Sequence, residues 1–173
     1  DDQADIHFSE EIEADGAALM RAACEHGLEG IIAKRRDRPY RSERNGDWLK
    51  IKCVQSESFF VVGYEPSTNI RNAVASLLLA AREGERLVYV GSVGTGFSDQ
   101  IAQDLRSALD SMRAPTPAVS LKRKNVVFCS PDLVAEIEFR GWTGDGKLRH
   151  AAYKGMRENP DNSSVCEMSR SEE

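Results

Sequence analysis

The spacing of apolar positions changes period along the chain, and with it the element each stretch predicts. "GDWLKIKC" (46–53) alternates Trp48, Lys50 and Lys52 with Leu49, Ile51 and Cys53, predicting a strand with one apolar face and one Trp-Lys-Lys face. Before it, "DGAALMRAACEHG" has Asp15 as N-cap, Gly27 as stop, and Leu19, Ala22, Ala23 and His26 on one side at helical spacing. "LEGIIAKRR" predicts a short buried strand running into the charged, turn-rich loop "RDRPYRSERNGD".

From residue 58 the texture becomes strongly apolar. "SFFVVGYEP", "AVASLLLAAREG" and "RLVYVGSVGTGF" predict three strands; Leu77–Leu79 also fits a helical period, but the turn at Glu83-Gly84-Glu85 favours a hairpin. "SDQIAQDLRSALDSM" predicts a helix capped by Ser98, with Ile101, Leu105, Ala108, Leu109 and Met112 on one face, ended before Pro115 and Pro117. "VVFCSPDLVAEIEFRGWT" returns to strand, and Thr143-Gly144-Asp145-Gly146 turns the chain into "KLRHAAYKGMRE". About five strands, with one helix between the third and fourth, is the order of an OB-fold barrel. The polar tail "NPDNSSVCEMSRSEE" reads as disordered or a linker.

Composition narrows the field without deciding it. The 173 residues are 40% hydrophobic and 29% charged, an ordinary globular balance with no apolar run long enough to span a bilayer. The chain opens on an acidic stretch, not on Met, and so reads as a piece of something longer. Four dispersed cysteines (Cys24, Cys53, Cys129, Cys166) without a Cys-x-x-Cys pair imply no zinc site and no disulfide framework, hence a reducing, cytoplasmic setting. His7, His26 and His150 are scattered and read as structural or surface positions.

A net charge of −5 argues against a general nucleic-acid binder, but the charge is polarised. Residues 34–52 carry Lys34, Arg35, Arg36, Arg38, Arg41, Arg44, Lys50 and Lys52 against Asp37, Glu43 and Asp47. Lys122, Arg123 and Lys124 form a second cluster, and Arg140, Lys147, Arg149, Lys154 and Arg157 a third. The run "GSVGTG" lacks the Gly-Lys-Ser/Thr ending of a phosphate loop and reads as a tight turn before Ser98. Glu136 and Glu138, two apart on an alternating strand, read as a solvent or groove-lining face rather than a catalytic pair.

Three ordered elements carry more. Glu29-Gly30-Ile31-Ile32-Ala33-Lys34, then Arg44 four residues ahead of Trp48-Leu49-Lys50-Ile51-Lys52, then a closing "LRHAAYKGMR" ending at Arg157 resemble signature elements of the ATP-dependent DNA ligases, most closely the bacterial ligase D type. The resemblance spans residues 15–158. It implies an α+β chain: residues 1–55 as the C-terminal part of a nucleotidyltransferase (adenylation) domain, 56–158 as an OB-fold barrel with one inserted helix, and 159–173 as tail or linker.

The same resemblance implies ATP with Mg²⁺ or Mn²⁺ as cofactors and DNA breaks as substrate, sealed through enzyme–AMP and DNA–adenylate intermediates in non-homologous end joining. It further implies a Ku-type end-binding protein and the parent's polymerase and phosphoesterase domains as partners. Lys50 and Lys52 would reach the α-phosphate, with Arg44 and Lys34 also serving the nucleotide. Glu29 would help hold the metal, Arg157 would orient the pyrophosphate, and Arg149, Lys154, Lys122, Arg123 and Lys124 would meet nucleic acid. Lysines and a divalent ion suit this chemistry, because each step attacks phosphorus and spreads negative charge over its oxygens.

Two departures stand out. Glu158-Asn159-Pro160 replaces the family's x-Asp-Lys after the final arginine, and the nucleophilic Lys-x-Asp-Gly is absent, the nearest strings being Glu13-Ala14-Asp15-Gly16 and Thr143-Gly144-Asp145-Gly146. Without that amine no phosphoramidate forms, so the chain is expected to be silent on its own. The rival readings are a non-catalytic OB module that binds nucleic acid, an RNA-ligase or capping-enzyme relative, and a decayed remnant.

Overall fold

The structure, a computed structural model, describes residues 12–43, 45–157 and 165–168. The chain divides into two compact units, Asp1–Cys53 and Val54–Glu173.

The first unit contains a helix, α1 (Gly16–Glu25), and an antiparallel hairpin, β1 (Gly30–Lys34) and β2 (Trp48–Lys52). The Asp15 carboxylate accepts from the backbone N–H groups of Ala17 and Ala18 at 3.3 and 3.2 Å, satisfying donors that the first helical turn leaves open. Gly27, at φ +71°, turns the chain out of the helix in the left-handed conformation. The hairpin register sets Ile32 opposite Lys50 and Lys34 opposite Trp48.

Two expectations fail in this unit. The strand predicted as buried is largely open: Ile32 is 55% exposed, and Leu49 and Ile51 on β2 are 54% and 42% exposed. A hairpin and one short helix offer too little apolar surface to cover both faces. The cysteines are not all unpaired either, since Cys24 and Cys53 form a disulfide with Cα atoms 5.6 Å apart, 29 residues apart in sequence. The turn at Gly27 folds the hairpin back under the helix, and the Cys53 N–H donates to the Glu29 carbonyl at 2.9 Å, bringing the end of β2 to the end of α1.

The second unit is a five-stranded antiparallel sheet in the order β5-β4-β3-β6-β9, built from β3 (Gln55–Pro66), β4 (Val74–Glu83), β5 (Arg86–Val93), β6 (Val127–Phe139) and β9 (Ala152–Met156). A two-residue pair, β7 (Gly141–Trp142) and β8 (Leu148–Arg149), closes over the turn at 143–146. The sheet curls until its edges meet. Past the end of β5, the Thr95 carbonyl accepts from the Tyr153 N–H on β9 at 2.9 Å. Gly96 sits at that junction with φ +94°, and a Cβ there would lie 2.2 Å from the Tyr153 carbonyl oxygen, so only glycine permits the closure. This is the expected OB-type barrel, with its helix between the third and fourth long strands.

Both faces of β3 are buried, which explains its unbroken apolar run. Phe59 and Val61 point to the barrel interior with Leu77, Leu79 and Ile137, while Phe60 and Val62 point outward to Leu78, Val134 and Val119. Helix α2 (Asp99–Asp110), capped by Ser98, packs on the interior. Its buried residues are Ala102, Leu105 and Leu109; Ile101, expected inside, is 40% exposed, and Ala108 is also exposed. The buried stripe is thus rotated by about one residue, with the small Ala102 allowing close approach to the sheet. Pro131 falls where the β3–β6 register slips, between Val61↔Leu133 and Gly63↔Phe128, a bulge that spares the ladder its missing N–H.

The stretch expected as a tail is partly structured. β3 and β4 cease pairing beyond Phe60↔Ala80, and residues 165–168 enter there: the Cys166 N–H donates to the Ser58 carbonyl, and the Arg82 N–H to the Cys166 carbonyl. Val165 is 5% exposed within the outer cluster. Val165 seats in the outer cluster and Cys166 and Met168 pack against the inner one, while the unpaired strand groups of β3 and β4 take up the segment's backbone.

Candidate phosphate-binding site

The site in the first unit grows from the Glu-Gly pair that begins β1. Gly30 has φ +149°, and a Cβ there would lie 2.0 Å from the Ile51 carbonyl oxygen. This close approach of β1 to β2 sets Glu29 beside the far end of the facing strand. There the Glu29 Oε1 atom accepts from Lys52 Nζ at 2.9 Å and Lys50 Nζ at 3.2 Å. Two residues apart on one strand face, the lysines stand about 7 Å apart at their backbones, yet both ammonium groups converge on one oxygen. The hydrogen bond from Lys52, then that from Lys50, holds the Glu29 carboxyl down at about 2 from its ordinary 4.5.

The chemical capacity of this arrangement is to neutralise an oxyanion. Lys50 and Glu29 side chains are 54% and 67% exposed, so the contact is solvated and weak, and a phosphate can exchange for the carboxylate. Lys34 does not join them: its ammonium lies 4.5 Å from the Trp48 ring centroid, a cation–π contact. Arg44 lies outside the described residues.

The described residues do not compose a metal site by themselves. Among them there is no group of three or more His, Cys, Asp or Glu placed to hold an ion, and the one carboxylate of the site, Glu29, is committed to two ammonium groups. An ion there would have to draw its remaining oxygens from bound phosphate or from other polypeptide.

The remaining expected residues lie in the second unit, mostly in pairs. Arg157 donates to the Ser58 hydroxyl at 2.8 Å and stands 3.9 Å from Glu136. Glu136 accepts from the Ser56 and Ser58 hydroxyls. Lys154 pairs with Glu138 at 3.1 Å, and Arg123 with Glu65 at 2.8 Å while also reaching the Tyr89 hydroxyl. Arg123 is thereby a brace between elements. Lys122, Lys124 and Arg149 are exposed.

Sequence reasoning missed Tyr40, which leans edge-on against Trp48 with centroids 5.0 Å apart. An aromatic set among arginines was the available signal. It also missed the Cys24–Cys53 bridge that anchors the strand of Lys50 and Lys52; spacing alone carries no signal for such a pair. Burial pushes the two free thiols away from the thiolate form, Cys129 up to about 11 and Cys166 up to about 12.

Residues 70–160, more than half of the chain, match the family described as ATP dependent DNA ligase C terminal region, and the chain belongs to that family. Within it, the similarity runs to the ligase D type. The chain is 33% identical over 166 residues to the multifunctional non-homologous end joining protein LigD of Pseudomonas aeruginosa, covering 91% of this chain and 20% of that protein. The ligase domain of Mycobacterium tuberculosis LigD superposes with a TM-score of 0.62 at 30% identity, over 88% of this chain and 52% of that one. A mycobacterial DNA ligase D complexed with ATP and MES superposes with a TM-score of 0.58 at 30% identity, over 88% of this chain and 51% of that one. The chain therefore spans about a fifth of that LigD protein's length and about half of these solved ligase chains. No helix among the described residues is long and apolar enough to cross a membrane.

Proposed function

We propose that this chain supplies the phosphate-binding end of an adenylation domain, together with the OB domain, to an ATP-dependent DNA ligase that seals breaks in bacterial non-homologous end joining. The observation that carries the reading is the convergence of Lys50 and Lys52 on one Glu29 oxygen, an oxyanion site built on the Glu-Gly and Trp-x-Lys-x-Lys elements. In the whole enzyme these lysines take the α-phosphate of ATP and later that of the DNA–adenylate, spreading its charge while nucleophile and leaving group align. Arg157 serves the pyrophosphate in the first step, and Arg44 and Lys34 flank the nucleotide.

No Lys-x-Asp-Gly occurs in the chain, so the amine that accepts AMP comes from additional polypeptide, and the chain alone does not adenylylate. Where Mg²⁺ or Mn²⁺ takes part, Glu29 is the carboxylate this chain offers. Lys122, Lys124 and Arg149 on the OB domain meet DNA, and a Ku-type end-binding protein and polymerase and phosphoesterase domains are the partners of the whole enzyme.

The test is intact-mass measurement after incubation with ATP and Mg²⁺ or Mn²⁺. An unchanged mass is expected; a covalent AMP adduct on any lysine would make the chain a complete nucleotidyltransferase and overturn the assignment of Lys50 and Lys52 as phosphate ligands only.

A further inference from the structure

Residues 119–124, between α2 and β6, lie over the outer face of the barrel sheet in alternation. Val119 is 4% exposed in the outer cluster, and Leu121 packs against the same cluster. Arg123, next on that side, is clamped to the sheet, whereas Ser120, Lys122 and Lys124 are exposed. Alternation of this kind turns neighbouring side chains to opposite faces. Lys122 and Lys124 therefore share the face directed away from the barrel, about 7 Å apart at their backbones.

Arg123 fixes the register of the segment. Its Nε and Nη2 atoms meet the two Glu65 oxygens at 2.8 and 3.0 Å, a bidentate pair. Its Nη1 atom donates to the Tyr89 hydroxyl at 3.2 Å and to Ser92 Oγ at 3.5 Å. Glu65 is held in turn by the Ser76 hydroxyl at 2.7 Å, so the guanidinium is tied to β3 and β5 directly and to β4 through Glu65. Lys147 reaches the same tyrosine, donating to the Tyr89 carbonyl at 2.8 Å. The carboxylates nearby are engaged, Glu65 by Arg123 and Asp145 by the Thr143 hydroxyl. No acidic side chain among the described residues pairs with Lys122 or Lys124. A brace serving the barrel alone would need Arg123 and neither lysine.

Resting on the reading of DNA as substrate, we propose that Arg123 is the support that aims Lys122 and Lys124 at phosphates of one DNA strand, and that Glu65 is the positioning residue for both. A segment already fixed on the barrel gives up little backbone freedom on binding. The sign of one substitution separates this role from bulk electrostatics. Loss of a carboxylate near phosphate strengthens binding through charge alone; loss of the carboxylate that aims two lysines weakens it.

The test uses the 173-residue chain and a fluorescein-labelled DNA duplex of about 20 base pairs, followed by anisotropy over a series of salt concentrations. Lys122→Ala with Lys124→Ala is expected to lower the slope of log affinity against log salt by about 1.8, at about 0.9 for each phosphate contact. Glu65→Gln is expected to weaken binding about fivefold although it removes a negative charge, and to lower the slope by about 1. Added to the double lysine variant, Glu65→Gln should cause no further loss. Arg123→Lys, which keeps the charge and loses the fork, should behave as Glu65→Gln does, and it decides the matter if Glu65→Gln fails to melt as a folded barrel by circular dichroism. Binding by Glu65→Gln as tight as the parent chain's or tighter, or unchanged binding by Arg123→Lys, would overturn the positioning role and leave the DNA reading intact. Unchanged binding by the double lysine variant would overturn it by moving the DNA contact elsewhere. Absence of any duplex binding by the parent chain would remove the DNA reading of this chain, and the positioning role with it.

Discussion

Lys52 Nζ lies 2.9 Å from Glu29 Oε1, so the glutamate that opens the first signature element is tied to the last residue of the second. The resemblance assigned these residues to different tasks, metal and phosphate. In the structure they answer each other's charge, and Lys50 joins them at 3.2 Å.

The clamp sets a titration. Hydrogen bonds from Lys52 and Lys50 hold the Glu29 carboxyl at about 2 against an ordinary 4.5. A carboxylate whose folded pKa is depressed contributes stability that is fully present above its ordinary value and lost as pH falls through the folded one. The contribution of Glu29 is therefore expected to persist from neutral pH down to about 4.5 and to disappear between there and about 2. A carbon-detected NMR titration of the side-chain carboxyl checks it; a midpoint near the ordinary value would show that the lysines do not hold Glu29 in solution.

If phosphate competes with Glu29 for the lysines, removing its charge should favour phosphate. Glu29→Gln is expected to bind tripolyphosphate, without divalent metal, about two- to five-fold more tightly than the parent chain, the scale of a solvated ion pair. Lys50→Ala with Lys52→Ala should abolish that gain. Calorimetry decides, and unchanged affinity in Glu29→Gln would mean that phosphate binds elsewhere.

The Cys24–Cys53 bridge closes a loop of 29 residues, for which loop entropy gives a stabilisation of about 3.5 kcal/mol. A thiol reductant, or Cys24→Ser, is expected to lower the first unit's unfolding free energy by that order and leave the barrel unmoved. Urea unfolding followed by hydrogen exchange at the β1–β2 amides separates the two units. Alkylation of the denatured, unreduced chain should label two of its four cysteines; four labels would mean that the bridge is not formed.

Gly30 admits no side chain, because a Cβ would sit 2.0 Å from the Ile51 carbonyl oxygen at φ +149°. Gly30→Ala is expected to destabilise the hairpin by about 2 kcal/mol or more and to lift the Glu29 titration midpoint toward its ordinary value as the clamp opens. A hairpin unchanged by circular dichroism and hydrogen exchange would contradict the close approach.

Much of this molecule is legible in the chain alone, because the information is local. Asp15 and Ser98 announce their helices through side-chain oxygens that reach their own first turns, and alternation on Trp48–Lys52 places both lysines on one face whatever surrounds them. Periodicity and the order of elements carried the barrel, since an apolar β3 demands cover on both faces. What required the tertiary structure is everything set by an approach between distant residues. The Cys24–Cys53 bridge, the seating of Val165 where β3 and β4 part, and the leaning of Tyr40 on Trp48 all depend on backbone positions that no spacing encodes. The same holds for Glu29. Its residue type and place in a motif marked it as functional, but only the 2.9 Å to Lys52 shows that its first partner is a lysine, because the charge of a neighbour is felt through space and not along the chain.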